Sequence, residues 1–216
     1  MLALPTVVYH LAEGSNWPAI QRDGLHPATV LLARSGLPPG EQQRLNTTQR
    51  TTHTALPDGT ALRDQKPMPP DALARCLVGC TPAEWYALIN ARVFFWFDVD
   101  RLDRQRRACA PRAQVLLAID ATRLIADYRA HAALSPINTG NARRRPAVRG
   151  RATFVPISEW ERRGWASEAE ALGTTPRARS HAPVELTITS AIPDIGSYIV
   201  KTIRLTSTDP LPPDVT

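Results

Sequence analysis

Apolar residues fall in short runs along this chain, and polar turns separate the runs. Runs of five or six residues, rich in β-branched, aromatic and leucine side chains, predict strands over 6–11, 92–97, 114–119, 184–188 and 198–203. The segments between them predict helices over 17–22, 82–90, 100–108 and 120–128. Because these helices do not alternate regularly with the strands, the pattern favours an α+β fold. We expect one domain over 1–205 and a flexible tail over 206–216.

Two stretches lack a regular pattern. Residues 134–150 are predicted to form a long loop with polar side chains, glycine and arginine. Such loops commonly carry function, although a purely structural loop is the alternative. Residues 159–173 contain two tryptophans and are compatible with a helix or a loop. No Gly-x-Gly-x-x-Gly or Walker sequence follows a strand, which argues against a Rossmann or P-loop site.

The chain is basic, with 26 lysine and arginine residues against 20 acidic ones. All the basic residues except Lys66 and Lys201 are arginine, which grips phosphate through two donors. A preference for arginine codons would give the same excess. One arginine group lies within 101–112, where a solvated surface is the simpler interpretation, and another lies within 143–151. The groups indicate an anionic partner such as nucleic acid.

Composition also excludes several classes of protein. No apolar run approaches the roughly 20 residues that span a bilayer. Residues 1–10 lack the pattern of a signal peptide, so we expect a cytoplasmic protein without membrane contact. Cys76, Cys80 and Cys109 are an odd number without histidines at ligand spacing, which predicts reduced thiols and no metal site.

Polar residues near the ends of the predicted strands are the first candidates for chemistry. His10 lies at the end of the first strand, and Asn16 follows at a helix start, where anions are favoured. The alternative is a core histidine beside a helix cap. Arg63, with Arg50 upstream, is placed to clamp a phosphate. The alternative for Arg63 is a structural ion pair with Asp64.

Glu185 lies inside an otherwise apolar strand. Burying a carboxylate is costly unless the group is paired or used, so one interpretation is a single glutamate at the floor of a cleft. Strand alternation puts Glu185 on the same face as Thr187 and Thr189, so a position facing solvent is the alternative.

Three of these segments together resemble the ADP-ribosyltransferase superfamily, and within it the DarT-like enzymes that modify DNA. The opening YHLAEGSNWPAIQRDGL, 9–25, is similar to an element in which a histidine and an asparagine bind NAD. YALINARVFFWFD, 86–98, is similar to the aromatic strand of that group, and VELTITSAIPDI, 184–195, to the strand of its catalytic glutamate. The chain as a whole resembles an uncharacterised bacterial family with LRDQ-P-M, RVFFW and LSP-NTGN elements, which brings no activity with it.

The resemblance implies an ADP-ribosyltransferase-like core, a split mixed or antiparallel sheet with peripheral helices. It implies NAD as co-substrate and Glu185 as the catalytic glutamate. Arg63, preferred over Arg50, would be the catalytic arginine, and Phe95 or Trp96 would stack on a ring, although an aromatic strand is also typical of a core. The residues implied to bind NAD are His10, Leu11, Asn16, Arg50 and Phe95. The residues implied to bind nucleic acid are Asn138, Thr139, Arg143, Arg145 and Arg149.

The leading hypothesis is an NAD-dependent ADP-ribosyltransferase acting on nucleic acid, with single-stranded DNA favoured. A toxin or defence role, with an antitoxin or hydrolase partner, is part of it. Two hypotheses stay open beside it. One is an NAD glycohydrolase, or a transferase acting on protein or a small molecule, which would turn over without nucleic acid. The other is a nucleic-acid-binding module of the same fold, whose binding would survive loss of Glu185.

Overall fold

The computed structural model describes residues 3–109, 111–206 and 209–212. Its centre is an antiparallel sheet, whose seven strands within this described part follow the order β7-β6-β8-β4-β1-β5-β9. The strands of the sheet are β1 Val7–Glu13, β4 Val93–Trp96, β5 Gln114–Asp120, β6 Ala132–Ser135, β7 Val155–Pro156, β8 Glu185–Ile188 and β9 Ile199–Leu205. A separate hairpin joins β2 Thr54–Ala55 to β3 Ala61–Leu62.

Short helices surround the sheet. They are α1 Trp17–Asp23, α2 Ala28–Arg34, α3 Pro39–Thr47, α4 Pro70–Ala74, α5 Pro82–Asn90, α6 Val99–Ala108, α7 Ala121–Asp127, α8 Ile157–Arg163 and α9 Ala166–Leu172. Local sequence fixes several of their starts. The Thr81 side chain accepts from the Glu84 N–H, and the Glu84 carboxylate accepts from the Thr81 N–H, which is a capping box. Asp98 and Asp120 are simple N-caps of α6 and α7, because each side chain accepts one hydrogen bond from a backbone N–H of the first turn.

The two faces of the sheet pack into different apolar clusters. Phe95 and Leu186 belong to one face, which lies under α1, α7 and α8. Trp96 and Leu116 belong to the other face, together with Leu102 of α6. Toward β6 and β7 this second face is covered by α4 and α5. Successive side chains of a strand point to opposite faces. The cluster to which one residue belongs therefore shows the face on which its side chain lies, and the next residue in the strand lies on the other face.

The sheet divides between β1 and β4. β1 pairs with β5 along its whole length, from Val7 to Glu13, but it pairs with β4 only where Tyr9 lies opposite Trp96. Beyond that pair the two strands separate. We call the space between 9–13 of β1 and 93–96 of β4 the seam. It joins a half-sheet of β7, β6, β8 and β4 to a half-sheet of β1, β5 and β9.

The predicted strands and the four predicted helices are confirmed, with ends that shift by at most two residues. The α+β class is confirmed. The ambiguous stretch 159–173 forms α8 and α9. Of the tail predicted to be flexible, residues 207–208 and 213–216 lie outside the described residues, and Leu211 packs against the cluster of Trp96. In the part of the chain that the structure describes, no helix combines the length and apolar character needed to cross a membrane.

Candidate functional site

Glu185 opens β8 in the interior of the sheet, between Ser135 of β6 and Trp96 of β4. Its side chain is only 3% exposed. The carboxylate accepts three hydrogen bonds from one residue of the loop over 136–150. The Thr139 hydroxyl donates at 2.8 Å, and the Thr139 backbone N–H donates at 3.2 and 3.3 Å to the two oxygens. The alternative of a solvent-facing Glu185 is therefore wrong, and Thr187 on the same face is also fully buried.

Burial raises the pKa of Glu185 to about 7, although the Thr139 hydrogen bonds and the charges of Arg149 and Arg101 act in the opposite direction. Near neutral pH this carboxyl group is thus divided between its protonated and ionised forms. Such a group both accepts and releases a proton at little cost, which is the property that general acid–base chemistry requires.

The side chain of Arg149 holds the loop over 136–150 in its position next to Glu185. It is 2% exposed, and its guanidinium donates to the Thr139 carbonyl at 3.2 Å and to the Ala147 carbonyl at 3.1 Å. The same group lies over the Trp85 ring. The prediction that Arg149 binds nucleic acid is wrong for this conformation, because its donors face the loop interior. Thr139, predicted to bind substrate, holds the carboxylate instead.

His10 lies in the seam. Its Nδ1 is 2.9 Å from the Phe94 carbonyl of β4. Because a carbonyl oxygen only accepts, Nδ1 carries the proton and Nε2 is left as an acceptor. Burial, together with the charge of Arg63, lowers the pKa of His10 to about 4, and the Phe94 hydrogen bond only partly opposes this. His10 is therefore a neutral imidazole at pH 7.

The backbone of Leu11 also faces the seam. The Phe97 N–H donates to the Val184 carbonyl, on the side of β8. Because the backbone N–H and C=O groups of successive residues point to opposite edges of a strand, those of Trp96 and Phe94 point toward β1. Tyr9 meets Trp96, and continued pairing would bring Leu11 opposite Phe94. Within the described sheet that pair is not formed. The N–H and C=O of Leu11 consequently point into the seam as a donor and acceptor pair.

His10 and Glu185 do not share a face. Tyr9, Trp96 and Glu185 lie opposite one another in register, so they point to the side of α6. His10 follows Tyr9 and packs against the Phe95 ring at 5.7 Å on the other side. Phe95 is fully buried in that core, so the prediction that it contacts NAD is wrong for this conformation. Trp96 is the aromatic neighbour of Glu185.

Arg50 and Asn16 are both engaged with backbone. The buried Arg50 guanidinium donates to the carbonyls of Leu45 and Arg63 and to the Asn90 side chain. Burial lowers the pKa of Arg50 to about 10. Its donors are consumed inside the protein, which corrects the prediction that it binds NAD. The Asn16 amide donates to the Ala61 carbonyl at 2.9 Å and accepts from the Ala61 N–H at 2.7 Å, so it fastens β3.

Arg63 forms an ion pair, but its partner is not Asp64. Arg63 Nε lies 2.6 Å from Glu13, a buried residue at the end of β1. Arg112 approaches the same carboxylate at 2.9 Å, and His53 lies 4.0 Å from it. The alternative of an ion pair with Asp64 is wrong in its partner, because Asp64 faces Lys66 instead.

Glu13, Arg112 and His53 were not among the residues predicted from the sequence. The sequence does give an indication that Glu13 matters, because this charged residue ends an apolar strand three residues after His10. The sequence gives no such indication for Arg112 and His53, because only the fold brings these two residues to the end of β1. Of the remaining predicted residues, Asn138 accepts from the Gly140 N–H within its own loop. The other two, Arg143 and Arg145, are exposed at the loop tip. Arg144, which was not predicted, lies exposed between them with a φ of 62°.

A comparison with known protein families identifies the family of this chain. Residues 6–199 match the family of unknown function DUF7002, and the chain belongs to that family. The match includes the first six strands of the sheet along the chain, and of β9 only its first residue, Ile199. Among curated proteins, none matches this chain.

Proposed function

We propose that this member of DUF7002 is an NAD-dependent ADP-ribosyltransferase that modifies nucleic acid. The observation that carries the proposal is Glu185, a single carboxyl group held inside the sheet, one strand from the seam, at a pKa near neutrality. A sheet divided between β1 and β4 also fits the split core that the sequence resemblance implies.

Glu185 has the properties that the transfer requires. Cleavage of the bond between nicotinamide and C1′ of the ribose leaves positive charge on the sugar, and the bonding electrons depart with nicotinamide. An ionised Glu185 would stabilise that charge through the ribose 2′-hydroxyl. An acceptor nitrogen or oxygen then bonds to C1′, and Glu185 would take the proton that this acceptor loses.

The seam supplies groups that fit NAD. A carboxamide presents one acceptor and two donors, and the N–H and C=O of Leu11 are complementary to it. His10 Nε2 offers an acceptor to a sugar hydroxyl. The opposite orientations of His10 and Glu185 are compatible with one ligand, since a molecule lying in the seam passes through the plane of the sheet. Asn16 would act indirectly, by holding β3 and Arg63 beside β1.

The loop over 136–150 must release Glu185 before the reaction. Thr139 occupies both carboxylate oxygens, and the closed loop leaves the group almost without solvent contact. A ribose 2′-hydroxyl donates the same kind of hydrogen bond as the Thr139 side chain. We therefore expect exchange of the Thr139 hydroxyl for the ribose hydroxyl when the co-substrate enters.

The same loop favours nucleic acid as the acceptor. Its tip exposes Arg143, Arg144 and Arg145 only a few residues after Thr139. Arginines on such a tip suit contacts with a phosphate backbone, and single strands leave base atoms open to attack. Single-stranded DNA is the first acceptor to test. A toxin or defence role, with a partner that blocks the enzyme or removes the modification, follows from this chemistry as part of the proposal.

The decisive test is mass spectrometry of single-stranded DNA, RNA and total protein after incubation with NAD. The wild type should add one ADP-ribose to one of them, and Glu185→Gln should lower the rate by at least about a hundredfold. Glu168→Gln is the matched control, because Glu168 is a buried glutamate of α9 paired with Arg177, away from the seam. It should keep most of the activity.

Other outcomes would separate the alternatives. Release of nicotinamide without any labelled acceptor would replace the proposal by NAD hydrolysis. Labelled protein with unlabelled DNA and RNA would move the acceptor to protein. Nucleic-acid binding that is independent of both NAD and Glu185, with no turnover, would leave a binding module. Equal activity in the two glutamine variants would exclude Glu185 as the catalytic residue.

A further inference from the structure

Four side chains from distant parts of the sequence meet at the end of β1. Glu13 is 3% exposed, and both of its oxygens are engaged. Arg63 Nε donates to Oε1 at 2.6 Å, while Arg112 donates to Oε2 at 2.9 Å and more weakly to Oε1. His53 Nε2 lies 4.0 Å from Oε2. The two arginine side chains and the histidine remain 21–30% exposed, so the cluster opens to the surface.

The fold holds each member of this cluster in place. Glu13 ends the strand that pairs fully with β5, and Arg112 precedes β5, so these two are fixed side by side. Arg63 directly follows β3, which the Asn16 amide fastens to the end of β1. Long side chains that are already ordered lose little freedom when they bind a ligand.

The cluster has more positive charge than its own carboxylates cancel. Arg63 and Arg112 share the single carboxylate of Glu13, because Asp64 pairs with Lys66 instead, and this leaves an excess of one positive charge. Arg63 Nη2 and His53 Nε2 are buried atoms without a hydrogen-bond partner among the described residues. The field of Arg63 also reaches His10, whose pKa it helps to lower.

We infer that Arg63, Arg112 and His53 form a binding site for a phosphate-class oxyanion, with Glu13 as the internal counter-ion that orders both guanidiniums. Two guanidinium groups offer donors at fixed angles, which matches the oxygens of a phosphate better than those of a smaller anion. The identity of the molecule that supplies the anion rests on the proposed function, whereas the existence of the site does not. The anion is either the diphosphate of NAD or a terminal phosphate of the nucleic acid.

Calorimetric titration with inorganic pyrophosphate at low salt tests the site without any turnover. The wild type should bind it saturably, and Arg112→Gln should weaken the Kd about tenfold or more, because a charge-assisted contact is lost. Glu13 keeps Arg63 as partner in that variant. Arg151→Gln is the control, since it removes the same charge from an exposed pair with Glu84 elsewhere. It should change the Kd less than about twofold.

His53→Gln provides a second variant that leaves both ion pairs of Glu13 intact, and it should also weaken pyrophosphate binding. Absence of saturable binding in the wild type, or equal Kd values for Arg112→Gln and Arg151→Gln, would overturn the site. Competition identifies the source. Displacement by NAD assigns the diphosphate, and displacement by a 5′-phosphorylated oligonucleotide but not by its unphosphorylated form assigns the nucleic acid. If pyrophosphate binds and neither displaces it, the anion site stands and the proposed function loses this support.

Discussion

Two buried glutamates of this protein have opposite electrostatic surroundings. Burial acts to raise the pKa of Glu13, but the charges and hydrogen bonds of Arg63 and Arg112 outweigh it and hold that pKa below its usual range. Glu185 receives only hydrogen bonds from Thr139 and more distant charges, so burial prevails. One carboxylate is therefore a permanent anion that organises cations, and the other is poised to exchange a proton.

The raised pKa of Glu185 makes stability depend on pH. Its value is about 7 in the folded protein against 4.5 as the ordinary value, so the folded state favours the protonated form. The stabilising contribution is complete below pH 4.5 and is lost as the pH rises through 7. Glu185→Gln removes the titration. Relative to this variant, the wild type should lose up to about 3 kcal/mol of unfolding free energy between pH 5 and pH 8.

Urea unfolding of both proteins at the two pH values measures this difference. Thr187→Val is the control, because it alters a buried polar side chain of the same strand without removing a titrating group. Its effect should be the same at pH 5 and pH 8. An equally constant effect of Glu185→Gln would contradict the raised pKa.

At the scale of elements, glycine decides how α1 ends. Gly24 has a φ of 83°, and its N–H donates to the Ile20 carbonyl. The next residue, Leu25, exchanges backbone hydrogen bonds with Ile192 in both directions. A Cβ atom on Gly24 would lie 2.2 Å from the Ile192 carbonyl oxygen. The turn therefore connects the end of α1 to the segment that follows the strand of Glu185.

Gly24→Ala should destabilise the protein by about 2 kcal/mol or more, through backbone strain of about 1 kcal/mol and the added contact with Ile192. Gly36→Ala separates these causes, because Gly36 has a φ of 74° but nothing near its missing Cβ atom. It should cost only the strain. Chemical denaturation of both variants measures the two values, and equal losses would show that the contact with Ile192 does not matter.

Elements differ in how far the sequence predicts them. The strand Val93–Trp96 is rich in aromatic residues and is predictable from the sequence. β6, Ala132–Ser135, contains two alanines, and the loop predicted over 134–150 covers its last two residues. β6 becomes a strand because β8 and β7 pair with it on both sides. The seam exists because β1 and β4 do not pair beyond one residue pair. No local sequence pattern shows that two distant strands fail to pair.

At the scale of the whole molecule, the positive charge is less uniform than the sequence indicates. In the group within 101–112, Arg106 and Arg107 pair with Asp103, and Arg112 pairs with Glu13. In the second group Arg149 is buried. The loop tip at 143–145 is thus the main exposed cluster, which the residue count alone could not reveal. Likewise, the sequence marks His10 and Glu185 as candidates, but their hydrogen-bond partners Phe94 and Thr139 come from tertiary contacts.

Salt dependence tests the contribution of this tip to the nucleic-acid binding that we propose. Replacing Arg143, Arg144 and Arg145 by glutamine should reduce the slope of log K against log salt by about 2 for single-stranded DNA, since each lost phosphate contact contributes about 0.7. The matched control replaces three arginines that sit in surface ion pairs elsewhere: Arg22, Arg44 and Arg162. Fluorescence anisotropy over a salt series gives the slopes. Equal slopes for the two triple variants would rule out the loop tip as the contact.

The seam has a consequence for how the chain can be divided. The chain passes from one half-sheet to the other between β1 and β4, β4 and β5, β5 and β6, and β8 and β9. No single break in the chain can therefore separate the two half-sheets from each other with both complete. A product truncated before β9 leaves the half-sheet of β1, β5 and β9 incomplete. Both half-sheets are complete only in a chain that runs from β1 to β9, so the boundary at the seam is one of space and not of sequence.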